Sequence, residues 1–129
     1  MEVLDNHVKK RRAIHFFYID LFKNIDGVEV FSFHNKNYFS NCWLTSIIVN
    51  SDKAGIKTKE NLRIAFQKEN IDCRPLWKPL HLQPIFSHYP YYGNDNAEHL
   101  FENGICLPSG SNITSLEKER IRNVVKNFF

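Results

Sequence analysis

Near the start of the chain the apolar residues Leu4, Val8, Ile14, Phe17, Tyr18, Leu21 and Phe22 recur mostly at steps of three and four, with Lys9, Lys10, Arg11, Arg12 and Asp20 between them. That period predicts a helix of about twenty residues from Val3 to Phe22. Asp26-Gly27 stops it, and Val28 to Phe31 alternates as a short half-buried strand does. A polar loop, His34 to Asn41, follows. From Cys42 to Val49 β-branched and aromatic residues cluster over about eight positions, the mark of a mostly buried strand. Asn50 to Gly55 has turn chemistry. Thr58 can cap a helix that carries Leu62, Ala65 and Phe66 inward and ends near Asn70, after which Ile71 to Trp77 reads as extended.

All five prolines fall in the second half of the chain, at 75, 79, 84, 90 and 108. Each removes a backbone donor and biases its predecessor toward extended geometry, so Arg74 to Tyr92 is expected to be a shaped loop with at most one short helix, around Leu80 to Ile85. Asp95 and Glu98 offer a cap and a first-turn carboxylate for a short helix ending at Gly104, and Ile105 to Leu107 gives a strand. Thr114 and Glu117 have capping-box spacing, with Ile121, Val124, Val125 and Phe128 at i, i+3, i+4 and i+7 behind them. Short strands and helices mix without a β-α-β repeat. The fold class is therefore α+β: one domain over residues 1–129, with an antiparallel sheet of three to four strands covered on one side by helices.

Composition narrows the function classes. Eleven Phe, five Tyr and two Trp supply enough large apolar surface to close a core without disulfides or metal. No apolar run approaches the roughly twenty residues of a membrane span, and no cleavable leader follows the basic run at 9–12, so the expectation is a cytoplasmic protein. Cys42, Cys73 and Cys106 are widely spaced and odd in number, which points to reduced, buried thiols and no zinc site. A net charge of +3 does not argue for nucleic acid. The basic run Lys9 to Arg12 reads as a solvated helix face, and Ser109-Gly110-Ser111 as a turn into the Thr114 cap.

The densest chemistry lies at residues 74–84, where Arg74, Trp77, Lys78, His81 and Gln83 share one proline-stiffened loop. Arg74 can grip a carboxylate or phosphate, Lys78 can supply a point charge, and Trp77 can cover a flat ring. His81 or Gln83 can hydrogen-bond a hydroxyl or carbonyl. The alternative is a loop whose aromatic packs inward while its charges face water.

The block R-P-L-W-K-P-L-H-L-Q-P-I-F at 74–86 is followed by Tyr92-Gly93, Ala97-Glu98, Leu100-Phe101 and G-I-C-L-P-S-G-S-N-I-T at 104–114. In that order these blocks closely resemble the C-terminal part of the DegT/StrS sugar aminotransferases. Ser40 to Leu44 resembles the family's S-N-x-W-L strand entry, and the opening helix is similar to the one leading into its small domain. The resemblance implies the small domain of a fold-type I aminotransferase, closest to enzymes that aminate a nucleotide-linked 4-keto-6-deoxy sugar. It also implies pyridoxal 5′-phosphate as cofactor, glutamate as amino donor, a homodimer, and a role in surface-glycan synthesis. The family's cofactor lysine and phosphate cradle belong to a large domain absent here, so this chain alone is expected to carry no catalytic or cofactor-binding residue. Arg74, Trp77, Lys78, His81 and Gln83 become the substrate-facing residues, on a loop expected to be loosely held without its facing wall. Ser32 to Lys36 resembles the cofactor-lysine motif S-F-H-x-x-K but is one residue short, so Lys36 reads as an ordinary loop lysine. A stand-alone module binding an anionic ligand or a protein partner is the competing reading.

Overall fold

The computed structural model describes residues 2–32, 37–51 and 57–129. Helix α1 spans Leu4–Phe22 and turns Ile14, His15, Tyr18 and Phe22 into the core. Gly27, at φ 77, reverses the chain into β1 (Val28–Val30). Strand β2 (Thr45–Val49) alternates, with Thr45, Ile47 and Val49 buried. Helix α2 (Lys59–Lys68) starts at Thr58, whose hydroxyl accepts from the Asn61 amide, as the sequence predicts. It ends in a Schellman closure: Asn70 sits at φ 55, its amide donates to Gln67, and the Ile71 amide donates to Phe66 at 3.0 Å.

Strand β3 is only Arg74–Pro75, and two 3-10 turns follow at Leu80–Leu82 and Pro84–Phe86. Helix α3 (Asn96–Asn103) runs directly into β4 (Gly104–Leu107), and α4 (Ser115–Phe128) completes the chain. The sheet order is β1-β2-β4-β3, with every pair antiparallel. This is the expected α+β architecture. Val30, Ile47 and Ile105 stand opposite one another across the sheet, so they share a face. Against that face α1, α2 and α4 pack Tyr18, Phe22, Leu62, Phe66, Ile121 and Val125. No helix among the described residues is long and apolar enough to cross a membrane.

The departures from expectation have local causes. The strand expected from Cys42 begins at Thr45, because Cys42 adopts φ 50 and Asn41 Oδ1 accepts from the Trp43 amide, which bends the entry. The extended stretch expected over Ile71 to Trp77 shrinks to two residues: Ile71 is spent on closing α2, and Pro75 cannot donate to a ladder. The helix expected at Leu80 to Ile85 is broken into single turns by Pro84. Asp95 makes no cap bond; Asn94 Oδ1 accepts from the Asn96 amide at 3.3 Å instead. The turn expected at Asn50 to Gly55 lies largely outside the described residues, as does much of the loop before Asn41.

Arg11 and Arg12 are not part of a solvated face. Arg11 donates to the carbonyls of Trp43 and Ser109, and Arg12 donates to the Ser40 carbonyl while its guanidinium lies 4.5 Å from the Phe39 ring centre. Together they staple α1 to the segments that enter β2 and leave β4. The Tyr18 hydroxyl donates to Pro108 O at 2.8 Å, and burial pushes its phenol well above the usual range, so it stays a donor. Cys73 and Cys106 are buried free thiols, whereas Cys42 is only half-buried. Burial raises the Cys73 thiol to about 12, which leaves it unreactive at neutral pH.

Gly104 joins α3 to β4 without a linker, and a methyl there would run into the Leu100 carbonyl oxygen and the Leu76 side chain. Gly104→Ala is expected to cost about 1–3 kcal/mol through overpacking, measured by urea unfolding. The capping box on α4 is complete: the Thr114 hydroxyl accepts from the Glu117 amide, and Glu117 accepts from the Thr114 amide at 2.7 Å. These hydrogen bonds hold the Glu117 carboxyl below the usual range. Thr114→Ala should lose about 1 kcal/mol at neutral pH. A depressed carboxylate pKa stabilises above its unfolded value and is lost as pH falls through its folded value, so the deficit should narrow on acidification below about pH 4. Thermal melts of both forms from pH 7 to pH 3 measure this.

Candidate functional site

The proline loop after β3 is fixed at both ends by the same piece of scaffold. At its start, Arg74 and Pro75 pair with Cys106 and Ile105, the Leu76 amide donates to Gly104 O at 3.4 Å, and the Leu76 side chain sits against Gly104. Five residues on, His81 Nε2 donates to Glu98 Oε1 on α3 at 2.8 Å. The His81 ring also stacks on Tyr91, with centroids 3.7 Å apart and planes 22° apart. Tyr91 is itself held, because its hydroxyl donates to Asn94 O at 2.7 Å. Between these anchors the Pro79–Leu82 and Leu80–Gln83 backbone bonds wind the first 3-10 turn, and Gln83 Nε2 donates back to Lys78 O at 3.3 Å. The loop expected to be loose is thus braced on its own domain.

The five residues singled out in the sequence therefore do different things. His81 is half-buried, with its Nε2 and one ring face committed to Glu98 and Tyr91. Gln83 braces the turn. Arg74 is exposed and pairs with Asp72 at 2.9 Å, a contact worth little in water. Trp77 is 69% exposed, and among the described residues neither its indole nor the Lys78 ammonium has a hydrogen-bond or ion-pair partner. An indole face and an ammonium offered together suit a ligand that joins a flat ring to negative charge. Glu98 and Tyr91 were not singled out from the sequence as partners of His81. Glu98 was legible only as a first-turn carboxylate, since nothing in a spacing of 17 residues reveals a contact.

Around this loop Leu80, Ile85, Tyr89 and Tyr92 are also more than 60% exposed. A second apolar surface, a groove of about 660 Å³, runs along α1 between Leu4, Val8, Phe16 and Phe39. Single exposed apolar residues are ordinary; these two groups are places where large apolar side chains stay uncovered among the described residues.

With this geometry in view, comparison with known proteins identifies the class. The profile of the DegT/DnrJ/EryC1/StrS aminotransferase family matches residues 1–128, and the chain belongs to that family. The chain is 38% identical over 133 residues to EpsN of Bacillus subtilis (strain 168), described as a pyridoxal phosphate-dependent aminotransferase. It is 26% identical over 130 residues to GDP-perosamine synthase of Escherichia coli O157:H7. Each match covers all of this chain and 33% of the relative, so the chain spans about a third of the length of both. Among solved structures, the aminotransferase TlmJ from Streptoalloteichus hindustanus superposes with a TM-score of 0.82 at 17% identity, over 98% of this chain and 32% of that one.

Relatives described as pyridoxal phosphate-dependent raise the question of whether these residues fit that group. Schiff-base chemistry needs an amine free to attack a carbonyl. Lys57 and Lys59, the partly buried lysines before and at the start of α2, donate to the carbonyls of Phe129 and Phe101 and lie over those rings. Burial lowers the Lys59 ammonium, yet that ammonium is spent on the end of α3. Lys78 is free but stands on an exposed loop. The described residues do not fit the cofactor; Lys36 lies outside them.

Because Trp77 and Lys78 hold nothing in place, Trp77→Ala and Lys78→Ala should each leave the folded state within about 0.5 kcal/mol of the parent. His81→Ala should cost more. Chemical denaturation of the three variants side by side checks the order.

Proposed function

We propose that the chain is the C-terminal small domain of a pyridoxal phosphate-dependent aminotransferase that moves an amino group from glutamate to a nucleotide-linked 4-keto-6-deoxy sugar for surface-glycan synthesis. In this reading the enzyme works as a homodimer in the cytoplasm. The cofactor and its lysine lie in the two-thirds of the family fold that this chain does not span, so the chain alone is inactive. The observation that carries the reading is the 38% identity to EpsN along the entire chain but only a third of that relative. A second relative, named for a GDP-linked amino sugar, supports a nucleotide-sugar substrate.

Within such an enzyme the loop bearing Arg74, Trp77, Lys78, His81 and Gln83 faces the substrate. Trp77 covers the flat part of the nucleotide, Lys78 neutralises its diphosphate, and Arg74 can leave its weak pairing with Asp72 to join them. His81 and Gln83 keep the loop in shape. The domain thus binds and orients, while proton and amino transfer occur elsewhere.

Two measurements test this. In a full-length relative, replacing either of the residues aligned with Trp77 and Lys78 by Ala should raise KM about tenfold or more, the first through a lost base-stacking contact and the second through a lost hydrogen bond to a charged group. Unchanged kinetics would remove the loop from the substrate site. With the isolated chain, uridine or guanosine diphosphate should quench Trp77 in a Trp43→Phe background, and glutamate should not. A borohydride-reducible adduct with pyridoxal phosphate, together with turnover by the chain alone, would overturn the division of labour.

A further inference from the structure

Among the groups on the proline loop, His81 offers the chemistry usually taken for a ligand contact, yet its geometry points elsewhere. Its Nε2 is held by Glu98, which is itself two-thirds buried, and one ring face is covered by Tyr91. Both partners belong to the entrance of α3: Tyr91 is pinned to Asn94 just before the helix, and Glu98 lies in its first turn. The far end of α3 is equally fixed, since it enters β4 at Gly104 and receives the Lys59 ammonium at the Phe101 carbonyl. The other end of the loop rests on Gly104 through Leu76. Leu76 and His81 therefore hang from one rigid unit, and the residues strung between them include Trp77 and Lys78.

We propose that His81 is a positioning residue: its clasp by Glu98 and Tyr91 sets the path of residues 77–80 and so holds the Trp77 indole and the Lys78 ammonium in the arrangement that receives a nucleoside diphosphate. The ligand half of this statement rests on the substrate-facing reading of the loop given above. The mechanical half does not. Residues 77–80 have two fixed ends while the clasp is closed and one when it opens. Fixing both ends removes in advance the conformational freedom that ligand binding would otherwise have to remove. Glu98 then acts through His81 without touching the ligand, and Tyr91 keeps the imidazole plane aligned with the carboxylate.

The test uses the chain itself in a Trp43→Phe background, so that Trp77 is the only indole. Without ligand, Glu98→Ala and His81→Ala should speed amide exchange at Leu82 and Gln83 about tenfold or more, the loss expected for a charge-assisted hydrogen bond. Glu98→Gln should restore most of the protection, because its amide oxygen still accepts from Nε2. In proton NMR the carbon-bound His81 ring protons should lie upfield, shifted by the Tyr91 ring, and return toward ordinary positions in Tyr91→Leu. With guanosine diphosphate as probe, half-saturation of Trp77 quenching should rise about tenfold in Glu98→Ala and recover in Glu98→Gln. Exchange and half-saturation unchanged in Glu98→Ala would overturn the positioning role, as would failure of Glu98→Gln to rescue a folded protein. Normal exchange effects with no quenching in the parent would uphold the clasp and overturn the nucleotide reading.

Discussion

The antiparallel pairing of β2 with β4 is the contact from which the rest of the domain hangs. Thr45, Ile47, Ile105 and Leu107 meet there with almost no exposure, and three helices pack over the face they form. The end of the pair is finished by Ser109, whose buried hydroxyl accepts from the Thr45 amide at 2.9 Å and donates to Leu107 O at 2.8 Å. One small side chain thus satisfies a donor and an acceptor that would otherwise be buried unpaired, where each would cost about 1–3 kcal/mol. Arg11 and Tyr18 fasten α1 to the same corner through the carbonyls of Ser109 and Pro108.

From that corner the scaffold of the candidate site follows step by step. β4 continues backward into α3 with no intervening residue, so the direction of the strand sets the direction of the helix. α3 carries Glu98, and β4 carries the ladder that receives β3. The loop between β3 and α3 therefore leaves and returns to a single rigid body. Proline stiffens it, but the contacts at Leu76 and His81 decide its shape.

The sequence was most legible where the physics is local. The capping box at Thr114, the Thr58 cap, the period of α1 and the short strand at Val28 involve neighbours a few residues apart, and the structure has each of them; β2, which reads as mostly buried, instead alternates between buried and half-buried positions. Legibility failed where a distant partner decides. Arg11 and Arg12 looked like solvated cations because nothing in a basic run announces carbonyls 28 to 98 residues away. Cys42 looked like strand because its residue type gives no warning of the left-handed turn imposed by Ser40 and Asn41. Within 74–84 the residue types singled out one loop, but the division between His81 and Gln83 as braces and Trp77 and Lys78 as groups without a partner among the described residues is a matter of tertiary contact alone.

The strand order has a further consequence, for how the chain acquires its structure. β2 lies at 45–49, but β4, its neighbour on the core side of the sheet, arrives only at 104–107, about sixty residues later. A ribosome delivering this sequence in order releases α1, β1 and β2 with their apolar faces bare until the central strand emerges and inserts between β2 and β3. Contacts of such long range slow folding and prolong the exposure of sticky intermediates. The strand that joins β2 to the rest of the sheet is thus a late one, followed only by α4, and the same strand aligns the loop bearing Trp77 and Lys78.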